Sequence, residues 1–191
     1  MRNTLWLLTV PFVLGIGLVG PIACEQSANT TPANRMKGGT ESAAAAVPGL
    51  GRKPPDFSLQ DLQGRPVELG RFHGKAIFIN FWATWCVPCR AEMPAMEKLY
   101  QDFKDRDFVM LAISGDLGGK EDVKPFLEEF KFTFPILLDP DLKIHDLYGV
   151  RGIPTTFLID KKGTVAQKML GARDWNQKEA RDLINKLIGA R

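Results

Sequence analysis

Three cysteines in 191 residues are too few to staple a small scaffold, so this chain must be held together by burial. Its two histidines are equally sparse. A Cys-x-x-Cys pair needs two more ligands to hold zinc, and only His73, His145 and the remote Cys24 remain, at no metal-like spacing. Both histidines are read as surface or turn residues, and no metal is expected. No basic cluster accompanies the formal net charge of +3, which speaks against nucleic acid as a partner. No G-x-G-x-x-G follows a strand of the folded domain, so electrons for any redox step must come from another molecule and not from a bound flavin or nicotinamide. There is no internal repeat. The 45% hydrophobic content suits one globular domain with spare segments.

The N-terminus lacks charge. After Arg2, residues 5–23 are uncharged and mostly apolar, ending in small residues before a polar region, which describes an export signal. The stretch nears the length of a membrane span, although Pro11, Pro21 and several glycines make it a poor helix. Pro21-Ile22-Ala23-Cys24 resembles the box cleaved in bacterial lipoproteins, where the cysteine is lipidated; Pro21 departs from the aliphatic residue usual there. A lipoprotein, an uncleaved anchor and simple secretion stay open, and all three place the remainder outside the cytoplasm. Residues 25–53 lack apolar periodicity and are rich in Ala, Gly, Thr, Ser and Pro, so they read as a flexible tether, with at most a short helix over 42–47. The division is therefore 1–24 signal or anchor, 25–53 linker, and 54–191 folded domain.

Within the domain, the apolar run from Ala76 to Trp82 reads as a buried strand. A short turn follows, then Cys86-Val87-Pro88-Cys89, and from Arg90 to Phe103 a helix with Ala91, Met93, Met96, Leu99, Tyr100 and Phe103 at apolar spacings. The cysteines thus stand where a strand hands over to the first turn of a helix. Residues three apart share a helix face, within disulfide reach. The unpaired N–H groups and partial positive charge of a helix N-terminus favour a thiolate, the species that attacks disulfides. A reversible dithiol/disulfide couple follows, with Cys86 the more exposed and nucleophilic member.

Around this centre, Pro55-Asp56-Phe57-Ser58-Leu59 reads as a short edge strand, joined through Leu62-Gln63-Gly64-Arg65-Pro66 to Val67-Glu68-Leu69 as a hairpin. Residues 108–113 form a second buried strand, completing a βαβ unit with a parallel pair. A helix over 121–130 is expected to turn Val123, Phe126, Leu127 and Phe130 inward. A short extended segment at 134–138 and a short helix over 142–148 follow. Residues 155–160 and 164–170 make an antiparallel hairpin, and 176–188 an amphipathic helix burying Leu183, Ile184, Leu187 and Ile188.

This order resembles the thioredoxin-like fold: α/β, three layers, a mixed central sheet with helices on both faces, an N-terminal β-hairpin and a helical insertion. Four features carry a more specific resemblance, to the membrane-tethered family exemplified by the bacterial TlpA, ResA and cytochrome c maturation thiol reductases. They are Phe81-Trp82-Ala83-Thr84-Trp85-Cys86-Val87-Pro88-Cys89-Arg90 with Glu92-Met93-Pro94 behind it; the Pro55-Asp56-Phe57 opening; the insertion over 121–148; and Gly149-Val150-Arg151-Gly152-Ile153-Pro154-Thr155-Thr156-Phe157-Leu158-Ile159-Asp160. The match covers the whole domain and is specific for chemistry, not for substrate.

The resemblance implies that Ile153–Pro154 is cis and packs beside the cysteines, leaving nearby backbone groups for an extended substrate, with Thr155 at the groove's edge. By spacing alone Glu92 reads as a solvent-facing helical glutamate; the resemblance implies an active-site carboxylate. Asn80 holds the strand position where cytoplasmic thioredoxins carry a buried aspartate, so proton handling would come from the helix. Trp85, Val87 and Pro88 are the expected substrate-facing surface, and Arg90 is expected to point into solvent. The implied activity is reduction of protein disulfides, with apocytochrome c as an implied substrate and a membrane thiol protein as electron donor. No cofactor beyond the Cys86–Cys89 couple is expected, and the protein is expected to be a monomer. A thiol peroxidase, a disulfide-forming oxidant and a non-enzymatic binding module are the alternatives. A peroxidatic loop would carry a proline before its threonine, and here Thr84 follows Ala83.

Overall fold

The computed structural model describes residues 47–189. The export segment, Cys24 and the tether to residue 46, with nearly all of the expected 42–47 helix, lie outside the described residues. The chain runs β1 (Ser58–Asp61), β2 (Pro66–Glu68), a 3₁₀ turn (Leu69–Phe72), β3 (Ala76–Trp82), α1 (Val87–Phe103), β4 (Phe108–Ser114), α2 (Lys120–Phe130), β5 (Ile136–Leu138), α3 (Lys143–Leu147), β6 (Thr155–Ile159), β7 (Val165–Leu170) and α4 (Lys178–Gly189). The strands form one sheet in the order β2-β1-β5-β4-β3-β6-β7, with β3, β4 and β5 mutually parallel and the flanking pairs antiparallel.

Strand parity sorts the core into two layers. Ile77, Ile79 and Phe81 of β3, Leu111 and Ile113 of β4, and Phe157 and Ile159 of β6 point to one face, where Phe57, Leu69, Leu137 and Tyr148 meet them. Phe78 and Trp82, Met110 and Ala112, and Leu158 point to the other, under α1, α2 and α4. Every residue of β3 is buried, as a central strand covered on both faces requires. Each such Ile, Leu or Phe contributes roughly 1.5–3 kcal/mol. Residue 80 falls on the α1 side of this alternation, so the polar Asn80 is aimed at the helix carrying the cysteines. This is the thioredoxin-like three-layer fold.

Several boundaries differ from the sequence reading. β1 is not an edge strand: Gln60 and Asp61 pair with Leu138 and Leu137 of β5, and β2 forms the edge. The domain also starts earlier than residue 54. Pro48 is buried, Gly51 N–H donates to Val165 O (2.8 Å), and Val165 N–H donates to Arg52 O (2.9 Å). The tether therefore ends in a clip against the start of β7.

Helix α1 begins at Val87 and not at Arg90, because Cys86 serves as its N-cap: extended at φ −83°, ψ 101°, with its sulfur accepting from Cys89 N–H. Pro88 sits in the first turn, where a missing N–H has no intrahelical partner to lose. The phase of α1 buries Glu92 and Ala95 and leaves Ala91 exposed, against expectation. In α2 only Val123 is buried, Phe126 and Leu127 are partly so, and Phe130 stays on the surface at 38% exposure.

Candidate active site

Cys86 and Cys89 form a disulfide, with Cα atoms 5.3 Å apart. Cys89 is fully buried, in the core cluster that also holds Met93 and Met96, whereas Cys86 keeps 5% exposure and is flanked by Trp85 (69% exposed) and Val87 (72% exposed). Pro88 is also exposed. The Cys89 N–H points at Cys86 Sγ from 3.2 Å. That is the donor that would meet a thiolate once the bond is reduced. Arg90 does not simply point into solvent: its guanidinium lies over the rings of Phe126 (5.6 Å) and Phe130 (5.7 Å), which ties α1 to α2.

The loop before Cys86 is anchored from β4. Asp116, buried just past that strand, accepts from Thr84 N–H (3.0 Å), Thr84 Oγ1 (2.7 Å) and Ser114 Oγ (2.7 Å). Cys86 N–H donates to Ala83 O (3.1 Å), so backbone and side-chain bonds together fix the approach to the sulfur. Nothing in the local sequence distinguishes Asp116 from an ordinary loop aspartate. Its position at the end of a parallel strand next to β3 is the only signal.

The Ile153–Pro154 peptide is cis, and the Ile153 carbonyl oxygen lies 3.8 Å from Cys86 Sγ. Pro154 is itself buried, and its carbonyl accepts from Gly171 N–H (2.9 Å), which leaves the Ile153 main chain as the segment beside the sulfur. Thr155 is not at the rim. It is fully buried, and its hydroxyl donates to Gly152 O (2.6 Å), holding the turn closed.

Glu92 is no solvent-facing residue: 3% of it is exposed. Asn80 Nδ2 donates to Oε1 (2.9 Å), while the Arg173 N–H (3.0 Å) and Trp175 Nε1 (3.1 Å) donate to Oε2. Burial pushes the carboxyl above the ordinary carboxylate range, and these donors, with the Arg173 charge, pull against that shift without cancelling it. Asn80 also donates to Thr156 Oγ1 (3.0 Å), so the strand that follows Pro154 and the helix that follows Cys86 meet at one polar node. Arg173 and Trp175 were missed from the sequence, because they reach Glu92 from a loop 81 and 83 residues away.

His145 is a second correction. It is buried, and its Nδ1 lies 2.7 Å from Asp139 Oδ2, with the ring edge-on to Phe81 at 4.9 Å between centroids. A carboxylate only accepts, so Nδ1 carries the proton. Burial raises the Asp139 pKa, but the His145 ring and the backbone N–H groups of His145 and Ile144 outweigh it and hold the carboxyl below its ordinary value. The pair packs on the sheet face opposite the thiols and positions α3. Among the described residues no cluster of three or more Cys, His, Asp and Glu side chains could hold a metal.

A disulfide at the N-cap of a helix, a cis-proline turn against the outer sulfur and a thioredoxin-like sheet behind both define a thiol-disulfide oxidoreductase. Comparison with known proteins agrees. The AhpC/TSA family profile matches residues 50–168, and the chain belongs to that family. The thiol-disulfide oxidoreductase ResA of Geobacillus thermodenitrificans is 44% identical over 133 residues, covering 69% of this chain and 74% of the relative. Among solved structures, a putative thiol:disulfide interchange protein DsbE from Chlorobium tepidum superposes with a TM-score of 0.69 at 33% identity, over 74% of this chain and 99% of that one. The pneumococcal exposed lipoprotein thioredoxin of Streptococcus pneumoniae gives 0.59 at 30% identity, over 70% and 100%. These relatives are named for dithiol chemistry and not for peroxide reduction, so the peroxidase alternative is not favoured.

Proposed function

We propose that the protein reduces disulfides in polypeptide substrates on the outer side of the cytoplasmic membrane. The observation that carries this reading is the asymmetry of the pair: Cys86 keeps a trace of exposure, 5%, beside the Ile153 carbonyl and between the exposed Trp85 and Val87, and Cys89 keeps none. Reduced Cys86 attacks a substrate sulfur, the two form a mixed disulfide, and one substrate thiolate leaves. The substrate strand lies along Ile153, with Pro154 and Thr155 shaping the turn beneath it and Trp85, Val87 and Pro88 as its apolar floor. Cys89 then attacks Cys86 and expels the second substrate thiolate. Two electrons pass to the substrate, and the two thiol protons follow them. Glu92, three residues after Cys89 and buried on the same face of α1, takes the Cys89 proton in that second step. The couple needs no other cofactor; a membrane thiol protein re-reduces it. Apocytochrome c is a substrate of suitable chemistry, since its haem-attachment cysteines must be reduced before use. An insulin-reduction assay beside a peroxide-consumption assay tests the class: turnover of insulin without peroxide loss is expected, and the reverse would sink it.

Location is part of the same proposal. The uncharged segment over 5–23 and Pro21-Ile22-Ala23-Cys24 support lipidation at Cys24, as does the likeness to a protein described as an exposed lipoprotein. Cys24→Ala is expected to block lipidation and release or strand the precursor, read by membrane fractionation and intact mass. An unchanged mass with unchanged membrane attachment would instead identify an uncleaved anchor.

A further inference from the structure

Three donors converge on the Glu92 carboxyl, and two of them come from outside any motif that marks the dithiol site. Trp175 stands in the loop between β7 and α4. Its ring is 2% exposed and packs edge-on against Phe78 of β3, 4.7 Å between centroids. That contact fixes the indole, so its single N–H is aimed at Glu92 Oε2 before any reaction. The Arg173 N–H donates to the same oxygen, and Asn80 holds the other. With all three in place the carboxyl has one orientation, on the α1 face it shares with Cys89. A cleft of about 380 Å³ between α1 and this loop, lined by Ala91, Glu92, Pro94, Arg173, Asp174 and Asn176, leads from the carboxyl to solvent.

We infer that Trp175 is a positioning residue for the resolving step: it clamps Glu92 as the proton acceptor for Cys89, and the cleft beside the 172–176 loop lets that proton exchange with water. This rests on the reading of Glu92 given above and deepens it. In the resolving step the Cys89 S–H proton passes to the Glu92 carboxylate. The Cys89 sulfur bonds to Cys86 Sγ, the Cys86–substrate bond breaks, and the substrate thiolate takes up a proton from solvent. Glu92 then returns its own proton to water through the cleft, so charge and electrons balance. An N–H aimed at Oε2 favours the charged carboxylate, the form that can accept, against the burial that disfavours it. The charged and titratable groups near Glu92 are Cys89, three residues before it on α1, and, from the loop, Arg173 and Asp174; β3 and β6 contribute only the uncharged Asn80 and Thr156.

The test separates the two exchange steps. Reduced full-length protein is mixed with 5,5′-dithiobis(2-nitrobenzoate), which releases one coloured thiolate on Cys86 attack and a second on Cys89 resolution. Trp175→Phe keeps the ring against Phe78 and removes the N–H. Its second phase is expected to move to higher pH, slower on the order of tenfold at a fixed pH on the rising limb, as loss of one hydrogen bond to a charged group implies. Its first phase should be unmoved. Glu92→Gln should remove that rising limb altogether. If Glu92→Gln changes the second phase and Trp175→Phe matches the unmodified protein, the clamp is overturned and the role of Glu92 stands. If Glu92→Gln leaves the second phase untouched, the role of Glu92 itself fails. Phe78→Leu loosens the ring but keeps the N–H, so a smaller shift than that of Trp175→Phe is expected; a larger one would mean that packing and not the N–H sets the step, and would overturn the assignment.

Discussion

Cys86→Ser is expected to reduce insulin turnover to that of the protein-free control, whereas Cys89→Ser should stop turnover while capturing substrates as stable mixed disulfides. The difference follows from access. Cys86 keeps 5% exposure between two neighbours that are about seven-tenths exposed, and Cys89 has none. In the Cys86→Ser protein the one remaining thiol of the pair is fully buried, where a polypeptide disulfide cannot reach it. In the Cys89→Ser protein the attacking sulfur is untouched, with the Cys89-position N–H still aimed at it, so the first exchange proceeds and the second has no nucleophile. Non-reducing gels of the Cys89→Ser protein recovered from cells should show discrete higher bands that collapse on reduction. Mass spectrometry of those bands would name the substrates, including or excluding apocytochrome c. Adducts on the Cys86→Ser protein and none on Cys89→Ser would reverse the assignment of nucleophile.

The half of the site that is contiguous in sequence was legible; the half assembled by strand register was not. An apolar run from Ala76 to Trp82, interrupted only by Asn80, and three-four spacing after Cys89 are local signals, and they place the pair between strand and helix. Glu92 shows the limit. It lies on the buried face of α1 with Cys89, Met96 and Leu99, three, four and seven residues away, and only its charge made it read as solvent-facing. Its partners arrive from three elements: Asn80 by parity in β3, and Arg173 and Trp175 from a loop far along the chain. His145 was misread for a related reason. A histidine in a short polar helix looks solvated until Asp139, at the end of the preceding strand segment, is seen to accept from its ring. Phe130 erred in the other direction: helical periodicity assigned it to the core, but it ends α2 at the surface, beneath the Arg90 guanidinium.

The couple is expected to be a reductant, with a potential nearer the roughly −270 mV of thioredoxin than the −120 mV of a strong oxidant. How oxidising a dithiol is depends on how far the protein stabilises the thiolate of its outer cysteine. Here the stabilising groups are few. Cys89 N–H points at Cys86 Sγ, and the N-terminus of a 17-residue helix adds its partial charge. Against that, Val87 offers no side-chain donor, and Pro88 contributes no N–H at all. The nearest cation on the helix, Arg90, is engaged with Phe126 and Phe130. Glu92 adds a carboxyl on the thiol face of α1, and any charge it carries opposes a thiolate. His145, the buried histidine, is bound to Asp139 on the other side of the sheet. The gap between the two reference potentials is about 150 mV, or roughly 7 kcal/mol for two electrons, too large for a single weak donor to close. Equilibration against glutathione buffers, with the two states separated by thiol alkylation, measures the value directly. Glu92→Gln should raise it modestly by removing the opposing carboxyl. A value above about −180 mV for the unmodified protein, the range of a disulfide isomerase, would mean that the thiolate is held by interactions stronger than the one N–H and the helix end. The direction of electron flow would then be toward making disulfides.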